Sequence, residues 1–379
     1  MQPILPGGTI GIFGGGQLGR MTAMAARSFG YSIRLLDPDP AAAARPLADD
    51  SIVADFTDVV AASTLARACD VVTLEIEKVA LPSLRAAALY APMRPGAVVL
   101  DVIQDRGRQK AWLAQHGFPA GPYRLAASVE SLGEAVAEFG DCIAKSCTGG
   151  YDGRGQFRLT SPGEARNTWI GLGEQPCVVE KALHLEAEIS VLIARRPGGD
   201  LVVYPPAFNH HEERILAWSV IPAPISETLT AQAQEIGLGI AEQLGVEGLL
   251  AVEMFLTNDG GLLVNELAPR PHNSFHATER ACVTSQFEQV VRAVCDLPLG
   301  AVDVVRPAAI LNLLGDLWKQ ERAPHFVRAL RDSAVRLHLY GKREARPGRK
   351  MGHLSATGAT PAEAVQRVHA ARAALTASG

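Results

Sequence analysis

The sequence lacks the signals of disulfide-linked, membrane-spanning and secreted proteins. Its six cysteines form no Cys-x-x-Cys pair and have no zinc-type spacing with the ten histidines, so we expect buried thiols in a reduced, cytoplasmic setting. No stretch approaches the ~18 apolar residues that cross a membrane. The amino-terminal residues have neither the basic nor the apolar region of a signal peptide. We therefore expect no membrane partner.

The chain also lacks an excess of positive charge. Its formal net charge is −4, so the overall charge does not attract nucleic acid, and small molecules are the expected partners. Hydrophobic residues make up 47% of the 379 positions. This fraction is enough for a sizeable core, and the length predicts two or three domains.

The first hundred residues alternate strand and helix patterns. A buried strand is predicted at 9–13, a helix at 20–29, and further strands at 32–36, 52–55 and 71–74. This alternation is typical of a parallel, doubly wound α/β sheet.

A glycine turn joins the first strand to the first helix. Its spacing, Gly14-x-Gly16-x-x-Gly19, with Asp37 further on, formally matches the dinucleotide-binding fingerprint. In that fingerprint, glycines let a phosphate approach the helix N-terminus. The phosphate could belong to NAD or to a sugar phosphate, or the turn could bind nothing.

Charged residues at two other places are ambiguous candidates for ligand binding. Glu75 and Glu77 close a predicted strand, where open α/β sheets bind ligands, but they could equally be exposed acids that cap the next helix. A basic cluster contains one acid, Glu344, among Lys342, Arg343, Arg346, Arg349 and Lys350. In an acidic chain such a cluster binds an anion or forms a solvated face.

A predicted hairpin brings two acids together. Two apolar runs flank the turn signal Asp259-Gly260, and a two-residue turn there places Glu253 opposite Glu266. Like charges at such a position destabilise a sheet, so one acid is protonated or a cation lies between them. Asn265 adds an amide oxygen, and an all-oxygen site suits Mg²⁺. The alternative is a one-residue register slip that turns one acid to solvent.

A second glycine-rich loop, at 149–156, follows Lys145 on a short predicted strand. It lacks the Gly-Lys-Ser/Thr of a P-loop. We interpret it as a mobile, phosphate-facing flap between Lys145 and Arg154, with a solvent-exposed hairpin tip as the alternative. The predicted strands at 177–183 and 186–192 could bind an adenine along their edge, although a plain antiparallel sheet is the default interpretation.

In chain order, these features resemble the ATP-grasp superfamily and, within it, the N5-carboxyaminoimidazole ribonucleotide synthetase family. The similar motifs are Gly14 to Met21, Glu75-x-Glu77, Gly149 to Gln156, Asn209-x-His211, Ala268 to Ser274, Ser285 to Glu288, and Arg349 to His353. The chain departs from the family pattern at Phe208, Phe275 and Ala277, where the family more often has an acid, a glycine and an aromatic residue.

The resemblance implies an α/β and α+β architecture of three domains. They are a pre-ATP-grasp domain at 1–98, an ATP-grasp domain at 99–295 and a small C-terminal domain at 296–379. It also implies a homodimer and a reaction. ATP phosphorylates bicarbonate to carboxyphosphate, and the amine of 5-aminoimidazole ribonucleotide then takes the carboxyl group, leaving ADP and phosphate.

The resemblance further implies the residues of the site. Those expected at ATP are Arg106, Lys145, Gly150, Tyr151, Asp152, Gly153, Arg154, Gly155, Gln156, Glu180, Lys181, Ala182, Leu183, Glu188, His211, Asn265 and Glu266. Those expected at the ribonucleotide are Gly15, Gly16, Gln17, Leu18, Glu75, Asp152, Ser274, Lys342, Arg349 and Lys350. The expected ligands of Mg²⁺ or Mn²⁺ are Glu253 and Glu266, and the catalytic candidates are Arg270, Asp152, His272 and Asn273.

Three other functions fit parts of the pattern. An NAD-dependent oxidoreductase would use the first glycine turn and Asp37 but leaves the second loop and the acid pair unexplained. A related ATP-grasp ligase, such as a formate-using ribonucleotide transformylase or biotin carboxylase, would share the nucleotide residues. A non-catalytic nucleotide-binding protein would not require Lys145, Glu253 and Glu266, which are all present.

Overall fold

The computed structural model describes residues 2–149, 155–318 and 322–376. Its first part contains the strands β1 (Thr9–Phe13), β2 (Ser32–Leu36), β3 (Asp50–Ile52) and β4 (Val71–Leu74), and the helices α1 (Gln17–Ser28), α2 (Val59–Arg67), α3 (Leu81–Ala87) and α4 (Ala97–Ile103). The strands form a parallel sheet in the order β3-β2-β1-β4, as the alternating pattern predicted. Helix α1 begins earlier than predicted, because the extended Gly16 already caps it.

A smaller antiparallel sheet follows. It contains β5 (Tyr123–Ala126), β6 (Cys142–Ser146), β7 (Gln156–Leu159) and β8 (Cys177–Lys181), with the helices α5 (Arg106–Gln115), α6 (Val129–Phe139) and α7 (Ala165–Gly171). The strand order is β5-β8-β6-β7. Asp105 caps α5 by accepting a hydrogen bond from the Arg108 amide. The second glycine loop joins β6 to β7, so Lys145 lies at its base.

The rest of the chain forms one large antiparallel sheet. Its strands are β9 (Leu185–Arg195), β10 (Leu201–Val203), β11 (Ala207–Glu212), β12 (Ile215–Ile221), β13 (Gly248–Thr257), β14 (Leu262–Ala268), β15 (Ala308–Leu314), β16 (Val335–Leu339) and β17 (Lys350–Thr357). The helices are α8 (Glu227–Leu244), α9 (Thr278–Ala281), α10 (Gln286–Val294), α11 (Phe326–Ala329) and α12 (Pro361–Thr376). The strand order is β14-β13-β9-β11-β12-β15-β17-β16, with β10 paired to β9. The carboxy-terminal strands therefore continue the central sheet through the β12–β15 pair.

The hairpin of β13 and β14 places Glu253 directly opposite Glu266, as predicted, but through a different turn. The Thr257 amide donates to the Gly261 carbonyl at 2.9 Å, so the turn has one residue more than the two-residue turn predicted. A bulge at Asn265 takes up that extra residue. The predicted turn was wrong, and the predicted pair is present because the bulge restores the register.

Arg94 connects the part of the chain that contains β1 to β4 with the part that forms the large sheet. The residue is 1% exposed. Its Nε lies 3.1 Å from Glu247 Oε2, and its Nη1 donates to the Val294 carbonyl at 2.5 Å. The largest apolar cluster also runs across this junction, because it includes Leu74 and Leu100 together with Val252. No helix among the described residues is both long and apolar enough to cross a bilayer.

Replacing Arg94 tests the importance of this junction. Arg94→Met leaves a buried carbonyl without its donor, so we expect the free energy of unfolding to fall by about 2–4 kcal/mol. Glu247 is 37% exposed, so Glu247→Gln, the matched control, should change it by less than about 1 kcal/mol. Urea denaturation measures both. Equal losses in the two variants would contradict the dominant role of the buried Arg94 contacts.

Candidate active site

Two lysines meet at the carboxylate of Glu180. Lys110 on α5 brings its Nζ to 2.9 Å from Glu180 Oε1, and Lys145 on β6 forms an ion pair with Oε2. Burial by itself would raise the pKa of Glu180, but the charges of Lys145 and Lys110 lower it to about 2. The cluster therefore carries a net positive charge inside the protein.

A cavity of about 170 Å³ lies beside this cluster. Its walls include Lys110, Lys145, Glu180, Lys181, Ala182, Leu183, Phe255 and Val264. A largely apolar slot with cations at one end suits a base attached to phosphates. The predicted nucleotide residues 180–183 and Lys145 are thus together. Sequence reasoning did not assign Lys110, although it lies one helical turn after Arg106, a spacing that places both on one helix face.

Glu188 and His211, two residues predicted for the nucleotide site, form an ion pair. They lie on the neighbouring strands β9 and β11, and His211 Nδ1 is 2.9 Å from Glu188 Oε2. Burial alone would lower the pKa of His211, but the Glu188 carboxylate raises it above its ordinary value. The remaining carboxylate oxygen is available to a hydroxyl group, such as that of a ribose.

The opposed acids of the hairpin lie at the centre of the site. Arg106 Nη2 is 3.4 Å from Glu266 Oε2, and Asn265 Nδ2 donates to Glu253 Oε2 at 3.4 Å. Burial, and then the adjacent charge of Glu266, raise the pKa of Glu253 well above its usual range. A cation between the carboxylates would remove this cost, and the three oxygen-bearing side chains fit Mg²⁺ or Mn²⁺.

Protein carboxylates hold the amides of the first glycine turn. Glu75 accepts from Gly16 N at 2.7 Å and from Gly19 N at 2.8 Å, and Asp37 accepts from Gly15 N at 2.6 Å. A Cβ at Gly16 would lie 2.6 Å from Glu75 Oε1, which explains the glycine. These amides are the groups that bind pyrophosphate in a dinucleotide fold, so the arrangement opposes the NAD-dependent interpretation.

Arg270 is oriented by Glu77. Arg270 Nε lies 2.8 Å from Glu77 Oε1. Burial would lower the pKa of Arg270, but Glu77, with smaller contributions from Glu75 and Glu266, raises it. The guanidinium therefore stays charged at the end of β14, four residues beyond Glu266. Glu77 was recognised in a motif but not assigned to the site, because its partner is distant in sequence.

Three distant segments of the chain meet beside this arginine. Gln17 Nε2 donates to Asn273 Oδ1 at 2.7 Å, and Lys342 Nζ donates to Gln17 Oε1 at 2.6 Å and to the Lys350 carbonyl at 2.7 Å. The predicted ribonucleotide residues from both ends of the chain are therefore neighbours. Of the others, Leu18 packs in an apolar cluster, and Arg349 donates to the Glu344 carbonyl at 3.0 Å.

A buried row of hydrogen bonds reaches His272. Asn209 Nδ2 donates to Ser190 Oγ at 2.5 Å, Ser190 Oγ donates to Ser274 Oγ at 3.5 Å, and Ser274 Oγ lies 3.2 Å from His272 Nδ1. If the Ser274 hydroxyl, which accepts from Ser190, directs its own proton at His272, Nδ1 is an acceptor. The ring proton is then on Nε2, which lies 3.2 Å from Glu253 Oε1.

Phe275 follows this row without disturbing the backbone. It is fully buried within a short 3₁₀ turn at Asn273–Phe275, and it is not among the residues with positive φ. Its ring meets Tyr204 edge-on with centroids 6.3 Å apart. The turn therefore does not require a glycine at this position.

The predicted nucleotide loop is described only in part. Five predicted site residues lie outside the described residues, namely Gly150, Tyr151, Asp152, Gly153 and Arg154. Gly155 has a φ of +68° and accepts a hydrogen bond from Ser146 N at 2.9 Å. Gln156 begins β7.

Three family models match successive parts of the chain. A ribonucleotide synthetase preATP-grasp domain matches residues 8–104, an ATP-grasp domain matches 111–287, and a phosphoribosylaminoimidazole carboxylase C-terminal domain matches 308–367. The predicted ATP-grasp architecture is therefore confirmed.

Similar proteins cover nearly the whole chain. The N5-carboxyaminoimidazole ribonucleotide synthase of Bacillus subtilis (strain 168) is 39% identical over 356 residues, 93% of this chain and 92% of that protein. Its namesake from Brucella melitensis biotype 1 is 42% identical over 353 residues, 92% of this chain and 96% of that protein.

Solved structures agree with these relatives. An ADP complex of N5-carboxyaminoimidazole ribonucleotide synthetase superposes with a TM-score of 0.91 at 40% identity, covering 98% of both chains. The Aspergillus clavatus synthase in complex with ADP and 5-aminoimidazole ribonucleotide has a TM-score of 0.89 at 30% identity, covering 97% of this chain and 98% of that chain.

Neutralising Glu253 should stabilise the metal-free protein. Because the pKa of Glu253 is raised in the folded state, its ionisation destabilises the fold as the pH rises through that pKa. In EDTA, Glu253→Gln should increase the free energy of unfolding at pH 8 by about 1–3 kcal/mol, and by less at pH 5. Denaturation at both pH values measures this. A gain independent of pH would contradict the explanation.

His272 should remain neutral, with its proton on Nε2, from pH 8 down to pH 5. Burial, together with the charges of Arg270 and Lys350, lowers the pKa of His272 well below its usual value, and Ser274 fixes the tautomer. Nitrogen NMR of the histidine-labelled protein reports both properties. In Ser274→Ala we expect a mixture of the two neutral tautomers. Protonation of His272 near pH 7, or a proton on Nδ1 in the unmodified protein, would disprove the arrangement.

Proposed function

The chain belongs to the N5-carboxyaminoimidazole ribonucleotide synthase family of ATP-grasp enzymes, and on that basis we propose its reaction. It is an ATP-dependent ligase of purine biosynthesis that carboxylates the amine of 5-aminoimidazole ribonucleotide with bicarbonate. The observation that carries the proposal is the short separation of two side chains at the carboxyl end of β14. There Glu266, beside the nucleotide cavity, is only four residues from Arg270, beside the cleft formed by Gln17, Asn273 and Lys342.

ATP binds in the cavity between the small sheet and the large sheet. The backbone of residues 180–183 borders the adenine, Glu188 accepts the ribose hydroxyls, and Lys110 and Lys145 neutralise phosphate charge. Glu253, Glu266 and Asn265 would hold Mg²⁺ or Mn²⁺, and the bound ion supplies neutralisation of the phosphate oxygens during transfer. The direct opposition of Glu253 and Glu266 supports this assignment, because a cation between the two carboxylates would offset their mutual repulsion.

Phosphoryl transfer to bicarbonate gives carboxyphosphate beside Arg270. This arginine is held by Glu77 and stays charged, so its guanidinium can neutralise the oxygens of the new mixed anhydride without having to reorient. A single preorganised donor of this kind is worth about 2.7–4 kcal/mol in a site that excludes water. Glu77 is thus the residue that positions the anion-binding arginine.

The acceptor binds in the cleft beside the first glycine turn. Gln17, Lys342 and Lys350 surround its phosphate, and Glu75 lies below the turn. His272 orients the amine but does not remove its proton, because Nδ1 already accepts a hydrogen bond and Nε2 carries the ring proton. The amine attacks the carboxyl carbon of carboxyphosphate and expels inorganic phosphate, or it attacks the CO₂ formed after phosphate has left. In either route the released phosphate takes up the amine proton.

We extend the proposal to domain limits, location and assembly. The divisions are at 98/99 and 295/296, of which the first falls within α4 (Ala97–Ile103). The six cysteines are all free thiols, which supports a reduced, cytoplasmic setting. The homodimer is supported by family resemblance.

ADP release tests the reaction. With ATP, Mg²⁺ and bicarbonate, we expect turnover to require 5-aminoimidazole ribonucleotide and to yield one equivalent each of ADP and phosphate. Turnover that ignores the ribonucleotide would refute the proposal, and a requirement for formate would indicate the transformylase alternative.

Glu266→Gln should reduce that turnover by at least about 100-fold, because it removes one metal ligand, while ribonucleotide binding is retained. The matched control is Asp259→Asn, at the exposed tip of the same hairpin, which should keep full activity. Undiminished turnover in Glu266→Gln would remove the hairpin from the metal site.

A further inference from the structure

Two histidines lie side by side on the last two strands of the large sheet. His338 on β16 pairs directly with His353 on β17, so both side chains leave the same face of the sheet. Their rings are nearly parallel, with an interplanar angle of 11° and centroids 5.2 Å apart. Neither histidine has a place in the ATP or ribonucleotide site described above.

A carboxylate completes the group. Glu279 lies on the short helix α9, and the nearest donor atoms of Glu279, His338 and His353 are all within 4.8 Å of one another. No cationic side chain pairs with Glu279 within 4 Å among the described residues. The Tyr340 hydroxyl lies 2.8 Å from His353 Nδ1, so that ring is oriented by a neighbour and its Nε2 is left for another ligand.

We propose that Glu279, His338 and His353 form a binding site for a divalent transition-metal ion of the Zn²⁺ class. Imidazole nitrogens suit Zn²⁺, Co²⁺ and Ni²⁺, whereas Mg²⁺ prefers the all-oxygen set of the hairpin. Two metal sites of different chemistry would then lie in one chain. Sequence spacing does not reveal this one, because its ligands come from three separate elements.

The three ligands differ in how deeply they are buried, which suits capture of an ion. His353 is buried, at 2% exposure, and is therefore fixed, while His338 is half-buried and Glu279 is exposed. Tetrahedral bonds of about 2.1 Å require donor atoms about 3.4 Å apart. Rotation of Glu279 and His338 toward His353 closes the difference without moving the buried ring.

A cavity leaves room for a fourth ligand. Its volume is about 250 Å³, and its lining includes Glu279 and His338 with Met21, Met24 and Phe287. Three protein ligands and one open position is the arrangement of accessible zinc sites rather than of closed structural ones. The ion would join α9, just after the turn that carries Asn273 and Ser274, to the carboxy-terminal strands.

Metal titration of the untagged full-length protein tests this site. The protein is stripped with EDTA, dialysed and saturated with Mg²⁺ to fill the hairpin site, and Zn²⁺ binding is then measured by calorimetry. We expect one equivalent per chain and a higher melting temperature with Zn²⁺. Co²⁺ should give the visible absorption of a tetrahedral complex.

Variants locate the ion. His338→Ala and Glu279→Gln should each weaken Zn²⁺ binding by about 10–100-fold, and their melting temperatures without Zn²⁺ verify that they are folded. His369→Ala, at an exposed histidine on α12, is the matched control and should bind like the unmodified protein. The proposal is overturned if no Zn²⁺ binds, if both variants bind normally, or if Mg²⁺ competes for the same equivalent.

Discussion

Two like charges held opposite one another in a partly buried hairpin are the constraint on which the site depends. Ionisation of both Glu253 and Glu266 is costly there without a compensating cation. Neighbouring side chains reduce the repulsion between the two acids. Arg106 contacts Glu266, while Asn265 and His272 contact Glu253. The fold thus tolerates an unfavourable pair in the free protein, and under the proposed function a bound metal ion would offset the repulsion between the two acids.

Elsewhere the protein satisfies buried charges internally, and each such pair connects segments that are distant in sequence. Glu75 accepts two amides of the first glycine turn, Glu77 pairs with Arg270, and Glu180 lies between two lysines. These pairs fix the side chains of the candidate site in place in the ligand-free protein. Preorganisation of this kind reduces the reorganisation needed during transfer.

Local patterns predicted the elements of this fold better than the contacts between them. The opposed acids were found by periodicity, although the turn that was assumed is wrong and a bulge at Asn265 compensates for the error. Residues 180–183 and Lys145 line one cavity, because β6 and β8 are paired in the small sheet, and their assignment to ATP stays a prediction. Lys110, Glu77 and Ser190 were not assigned, since their partners are 70 to nearly 200 positions away. Family resemblance implied the roles of individual residues that spacing alone did not indicate. It also marked Phe275 as a departure from the family pattern, and the structure accommodates this residue as a fully buried ring.

The shared sheet has a consequence for how the protein can be divided. Because Ala308–Leu311 of β15 pair with Trp218–Ile221 of β12, the carboxy-terminal region cannot be removed without breaking the large sheet. Removing that region would strip β12 of its neighbour and leave an open row of amides and carbonyls, the kind of edge that recruits other chains into aggregates. Any variant or fusion that replaces this region therefore has to supply another strand beside β12. We accordingly expect the carboxy-terminal strands to be inherited together with the rest of the large sheet.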